Sequence, residues 1–379
     1  MSSPRKVRKD YENDNEGYES DTEDMDYQNV PTLRKRHCYE SGNTSSSYRT
    51  DTGSSESEEP AGSSQTAHPG LPGIQKIVSE EELAQLTQIR PRTFSFDKQS
   101  AFKDYLKILE RKGVFDITQE FGDLERKKSR CSECTYGNEP WNRQKNRYRD
   151  IIPYESTRVP LGKSQDYINA SYIRIINQEE EYFYIATQGP LPDTIDDFWQ
   201  MVFEHNSNVI AMVTRDIEDG IIKCHNYWPV SPEEPLELRQ FRICLKNYQI
   251  LAYFIVRMFQ VVKKPTETSL MVKHVQFTKW ADHGIPASTD SFIKYVRYVR
   301  KSHCTGPMVV HCSAGVGRTG VFICTDVAFC AMEKSYLFDI VNIVTQMREQ
   351  RYGMIQTKEQ YCFTYEIILK VLKKFLALE

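Results

Sequence analysis

The stretch MVVHCSAGVGRTGVFICTDV, residues 308–327, decides how this chain is read. The apolar run 308–311 has the length and composition of a buried strand. It delivers Cys312 at its end, Arg318 follows six positions later, and a helical stretch, 319–332, begins at once. Between them lie Ser313, Ala314, Gly315, Val316 and Gly317, a loop of mostly small residues. Such a loop lets successive backbone N–H groups turn inward as an anion nest. The helix N-terminus adds unpaired N–H groups and the positive end of its dipole. Positive potential of that kind favours the thiolate, the nucleophilic form of a cysteine. Arg318 can set two N–H groups on two oxygens of a tetrahedral oxyanion. Thr319 can give its hydroxyl to the departing thiolate. A lone cysteine is most often a small buried hydrophobe. Strand, His-Cys, glycine loop, arginine and helix together point instead to nucleophilic chemistry on a phosphate. The loop is not a nucleotide-binding P-loop, because the Lys-Ser/Thr pair of that motif is absent.

Outward from this stretch, helical periodicity appears at 98–110, 196–203, 290–300, 340–350 and 359–375, and Gly113 reads as a helix stop. Strand-like runs occur at 182–188, 209–214, 252–262 and 270–278. Strands in a run followed by helices in a block predict an α+β domain with a mixed sheet. The first 90 residues differ in kind. They contain no Phe or Trp and carry 10 basic against 17 acidic side chains, a net −7, whereas the remainder is +4. Such a segment buries too little apolar surface to offset its ordering entropy. The expected organisation is therefore a disordered acidic tail at 1–90 and one folded domain at 91–379, with order starting near Phe94. Tyr11, Tyr18, Tyr27, Ser20, Ser55 and Ser57 stand beside acids in that tail and could accept phosphate.

The 379 residues carry a formal charge of −3, which gives no bulk attraction to nucleic acid. No apolar run reaches the roughly 20 residues of a membrane helix, and the first ten residues lack a signal-peptide core. Ten scattered cysteines suit reduced thiols, so the expected compartment is the cytosol or nucleus. Cys131 and Cys134 form a single C-x-x-C pair with no second pair nearby, weak grounds for zinc.

HCSAGVGRTG resembles the signature of the classical non-receptor protein tyrosine phosphatases. Further motifs between residues 121 and 375 resemble the same family in order: KNRYRDIIPYESTRV (145–159), DYINASYI (166–173), DFWQMVFE (197–204), KCHNYWP (223–229), FTKWADHGIP (277–286) and QTKEQYCFTY (356–365). The resemblance implies one phosphatase domain with a central, highly twisted mixed sheet flanked by helices. It implies a cysteinyl-phosphate mechanism without metal or other cofactor, in tyrosine-kinase signalling. The implied partners are tyrosine-phosphorylated proteins, with no nucleic acid and no membrane insertion; cytoskeletal association is a further location. By the same resemblance Tyr148 and Asp150 set a cleft deep enough for phosphotyrosine, Asp282 is the general acid, and Trp280 anchors the hinge of its loop. Gln356 and Gln360 position water against the phosphoenzyme, Glu218 braces Arg318, Lys223 braces Asp282, and His311 tunes the nucleophile. Residues 312–318, Asp282 and Gln356 hold substrate.

Two positions depart from the family pattern. The usual Trp-Pro-Asp reads Trp280-Ala281-Asp282, which removes the backbone restraint of proline, and Glu155 replaces an aspartate. Two rival readings follow: a phosphotyrosine-binding pseudophosphatase of low activity because of Ala281, and a dual-specificity or lipid phosphatase, against which the Tyr148 region speaks.

Overall fold

A computed structural model describes residues 76–91, 95–127, 133–280 and 284–377. Strands β1 (Ala170–Asn177) and β2 (Glu180–Thr187) form a hairpin, and β3 (Val209–Met212) follows after helix α5 (Ile195–Glu204). A separate two-stranded ribbon pairs β4 (Ile217–Glu218) with β5 (Ile221–Ile222). Next come β6 (Leu236–Glu237), β7 (Phe241–Ile250), β8 (Phe254–Lys263) and β9 (Thr268–Phe277), each paired antiparallel to the next, and finally β10 (Met308–His311). The main sheet has the order β1-β2-β10-β3-β9-β8-β7-β6. Its centre is parallel, β10 against β2 and β3, and β3 against β9; its flanks are antiparallel. The other helices are α1 (Glu80–Gln85), α2 (Phe96–Arg111), α3 (Val114–Arg126), α4 (Thr135–Asn138), α6 (Thr289–Ser302), α7 (Gly317–Glu333), α8 (Ile340–Gln350) and α9 (Lys358–Ala377). This is the α+β mixed sheet that the sequence predicts.

All four residues of β3 and of β10 are buried, as expected of parallel strands covered on both faces. Ile210, Met212 and Val309 pack with Phe198, Trp199 and Val202 of α5. Ala211, Val310 and Met308 turn the other way, toward α6, α7, α8 and α9. Helix α7 is buried from Thr319 to Met332 and is mostly apolar all round, its buried Asp326 being paired with Arg300 of α6, which suits a helix at the centre of a domain. Because β9, β3 and β10 are parallel neighbours, Gln276, Met212 and His311 stand side by side at their carboxyl ends. The chain segments leaving those three ends build the site.

Helix α2 ends at Arg111, just before the expected stop at Gly113, which also serves as the N-cap of α3; its N–H donates to Asp116 Oδ2 at 2.9 Å. One sequence expectation needs correction: the folded part does not wait until residue 91. Val78, Leu83, Leu86 and Ile89 are all buried in the main core. Gln249 of β7 clamps this strap: its Oε1 accepts from the N–H groups of Ile77 and Val78, and its Nε2 donates to the Val78 carbonyl. Lys301 of α6 pairs with Glu82. Residues 1–75, including the tail tyrosines and serines, and Phe94 lie outside the described residues. Each buried aliphatic chain of the strap contributes roughly 1.5–3 kcal/mol before the cost of ordering the backbone. A chain cut after residue 90 is therefore expected to melt at least about 5 °C below one cut after residue 75. Equal melting temperatures by calorimetry would show that the strap does not stabilise the domain.

Candidate active site

Cys312 follows directly on β10 and is 4% exposed. Its Sγ accepts a hydrogen bond from Thr319 Oγ1 at 3.3 Å, on the first turn of α7. The turn between them depends on Gly315, whose φ of +73° is left-handed; a Cβ there would lie 2.1 Å from the Thr187 carbonyl oxygen. Gly317 is needed for a different reason, since a Cβ at that position would press within 2.8 Å of Gln360 Oε1. Val316 caps α7, and its carbonyl accepts from the N–H groups of Gly320 and Ile355.

Arg318 leaves α7 toward the ribbon. Its two terminal nitrogens lie 2.6 and 2.8 Å from Glu218 Oε1 and Oε2, a bidentate pair. Glu218 is 1% exposed and is itself held by Thr214 Oγ1 and by the Arg215 N–H. One edge of the guanidinium is thus occupied by a fixed carboxylate, and the ring of Trp280 lies 5.5 Å from its central carbon. Trp280 Nε1 donates to the Gly284 carbonyl at 2.8 Å, tying together the two ends of the 281–283 stretch. Ala281 and Asp282 lie outside the described residues, and so does any contact of Lys223 with Asp282.

A cleft of about 250 Å³ opens over Cys312. Ser313, Ala314, Gly317 and Arg318 form its floor, Tyr148 and Asp150 one wall, and Glu218, Lys223, Gln356 and Gln360 the rest of its rim. Ser313 Oγ donates to the Lys223 carbonyl at 2.9 Å, which leaves Tyr148 Oη as the donor of the 2.8 Å bond between the two hydroxyls. Gln360 Oε1 accepts from the Gln356 N–H at 3.0 Å, so the two glutamines are set by each other. His311 is fully buried, and burial lowers its pKa to about 4, so its ring is neutral. It reaches Cys312 through the backbone: Nδ1 donates to the Cys312 carbonyl at 3.1 Å.

Residues 142–370 match the family model described as protein-tyrosine phosphatase. The chain belongs to this family. Over the full length of both chains it is 58% identical to tyrosine-protein phosphatase non-receptor type 20 of Homo sapiens. It is 66% identical to the Rattus norvegicus protein of the same name, over 79% of this chain and 71% of the other. It is also 39% identical to the human non-receptor type 13 protein, over 80% of this chain but 12% of that one. The chain is accordingly a protein-tyrosine phosphatase of the non-receptor kind, a hydrolase acting on phosphotyrosine. These relatives are named for tyrosine phosphatase activity, not for dual-specificity or lipid activity.

The phosphatase also places beside the cleft a residue that sequence reasoning does not single out. Arg351, at the end of α8, is completely buried. It donates to the carbonyls of Gly315 and Ala314, to Asn169 Oδ1 and to Ser171 Oγ, at 2.7–3.1 Å. By drawing the carbonyls of Ala314 and Gly315 outward, it leaves the N–H groups of the same two peptides, those of Gly315 and Val316, free to face the cleft. Burial lowers its pKa to about 10, so it remains charged at neutral pH. Nothing in its local sequence, next to the partly buried Arg348, marks it out. Glu155 pairs with Arg158 and accepts from the Tyr136 N–H. Cys131 lies outside the described residues, and Cys134 Sγ points to the Ile152 carbonyl. Among the described residues no group of three or more metal-ligating side chains converges, and no helix is long and apolar enough to cross a membrane.

Proposed function

We propose that this phosphatase hydrolyses phosphotyrosine in proteins through a cysteinyl-phosphate intermediate, in the service of tyrosine-kinase signalling. Cys312 attacks phosphorus in line, Arg318 and the loop amides hold the three equatorial oxygens, and Asp282 protonates the departing phenolate. Thr319 supports the thiolate when it leaves again, while Gln356 and Gln360 orient the water that hydrolyses the phosphoenzyme. Tyr148 stacks on the phenyl ring, and Asp150 accepts N–H groups of the substrate backbone. The single observation that carries this reading is the convergence of Cys312, with its Thr319 donor, and the Glu218-braced Arg318 on one cleft walled by Tyr148. An arginine and a nest already neutralise the phosphate, so the scheme needs no metal.

Cys224, Cys244, Cys304, Cys312, Cys324, Cys330 and Cys362 are free thiols, which supports a reducing compartment, the cytosol with the nucleus or cytoskeleton as further sites. The test is turnover by the full chain of matched phosphotyrosine and phosphoserine peptides, with and without EDTA. The expected ratio of kcat/KM is at least about a hundredfold in favour of phosphotyrosine, or about 2.7 kcal/mol, unchanged by the chelator. Binding of phosphotyrosine peptide without turnover would establish the pseudophosphatase reading instead, and equal rates on both peptides would remove the specificity.

A further inference from the structure

Several buried polar side chains near the site have no part in the scheme above. Arg257 of β8 stands directly across from His274 of β9 in the sheet register. Arg257 Nη1 lies 3.4 Å from His274 Nδ1, and His274 Nε2 lies 2.9 Å from Tyr227 Oη. Tyr227 Oη in turn lies 2.7 Å from His311 Nε2, and His311 Nδ1 lies 3.1 Å from the Cys312 carbonyl oxygen. His274, Tyr227 and His311 are all fully buried, so this is a chain of four contacts ending on the nucleophile's own peptide group.

The two ends determine which way every proton points. A guanidinium has donors and no acceptor, and a carbonyl oxygen accepts only. From the arginine end, His274 must present a bare Nδ1, so its proton sits on Nε2 and goes to the tyrosine oxygen. The tyrosine must then donate its own proton to His311 Nε2. From the other end, the Cys312 carbonyl requires a proton on His311 Nδ1, which leaves Nε2 bare. The two deductions meet without conflict. They also require each imidazole to carry one proton. Burial supplies that condition, holding His274 well below the ordinary histidine range and His311 at about 4. The opposite polarity would set a ring lone pair against the Cys312 carbonyl and an N–H against the guanidinium.

We infer that Arg257 and His274 are positioning residues that lock His311 in its Nδ1–H tautomer and so hold the Cys312 carbonyl away from the cleft. The loop amides beyond that carbonyl are then aimed inward before substrate arrives. A second arm leaves the same guanidinium. Arg257 Nη1 donates to Gln276 Oε1 at 2.9 Å, and Gln276 Nε2 donates to the Thr214 carbonyl at 3.2 Å. Thr214 Oγ1 contacts both Glu218 and Arg318. One arginine, packed on the Trp228 ring at 4.7 Å, therefore seats both the nucleophile and its phosphate clamp. The inference rests on Cys312 as the nucleophile.

The test is ring-nitrogen NMR of the full chain labelled with 15N-histidine, with His311 assigned through His311→Gln. The expected result is a neutral His311 ring protonated on Nδ1. A neutral ring protonated on Nε2, or a charged ring at neutral pH, in the wild-type chain overturns the inference. In Arg257→Met the Nδ1–H signal is expected to weaken as both tautomers become populated. The value of kcat/KM on a small aryl phosphate should fall between about tenfold and a hundredfold. Arg257→Lys, which restores a donor, should recover most of that loss. An Arg257→Met enzyme of native melting temperature that keeps both tautomer and rate overturns the inference too. Should Cys312→Ser retain turnover, the nucleophile reading fails while the tautomer measurement stands on its own.

Discussion

Cys312→Ser is expected to lower turnover by a factor on the order of 10⁴ or more while phosphotyrosine peptide still binds. Serine is close in size, and the groups that shape the loop do not depend on sulfur. The Gly315 turn, the Arg351 bonds to the Ala314 and Gly315 carbonyls, and the Glu218 brace on Arg318 all remain. A hydroxyl at neutral pH is protonated and a far weaker nucleophile than a thiolate. Phosphate should still be held about as tightly as in the wild type. Titration calorimetry with a phosphotyrosine peptide, beside a phosphate-release assay, reads both quantities. Substantial residual turnover would rule out Cys312 as nucleophile, and loss of binding together with turnover would mean that the sulfur shapes the nest.

Arg351→Met should be nearly as damaging, although Arg351 need not touch substrate. The methionine fills much of the volume but supplies no donor. Two buried loop carbonyls, those of Ala314 and Gly315, would be orphaned at a cost of about 1–3 kcal/mol each. The fold can reduce that cost only by rotating those peptide groups, and rotation turns their amides out of the nest. A displacement of about 1 Å at a reacting centre can cost about a hundredfold in rate. We therefore expect kcat/KM on a small aryl phosphate to fall at least about a hundredfold, with a lower melting temperature. Assay well below that temperature separates the two effects. A Met variant within about threefold of wild type would show that the loop holds its shape without the buried guanidinium.

Local pattern and tertiary context can be told apart in this molecule. Helices α2, α5, α6, α8 and α9 and strands β2, β3, β8, β9 and β10 were legible from periodicity alone, to within a few residues at their ends. Strands β1 and β7 were not: ASYIRIIN and FRICLKNYQI mix polar and apolar side chains, and they become strands because hairpin partners lie beside them. From sequence the strap at 76–89 reads as tail, because its few aliphatic residues follow a long acidic, serine-rich stretch. Val78, Leu83, Leu86 and Ile89 count as core only because the folded domain, through Gln249 of β7 and Lys301 of α6, receives them.

The proposed chemistry is legible in the sequence alone. Strand, cysteine, glycine loop, arginine and helix are contiguous, and the physics that makes them an anion nest acts within a dozen residues. Tertiary structure decided what holds that nest in working order. Glu218 reaches Arg318 from a ribbon 100 residues earlier in the chain, Arg351 reaches back to Gly315, and Arg257 reaches Cys312 through His274, Tyr227 and His311. An arginine in a sequence looks the same whether it ends in water or among buried carbonyls. Only the folded chain, by removing water from these groups, makes each donor find one particular acceptor.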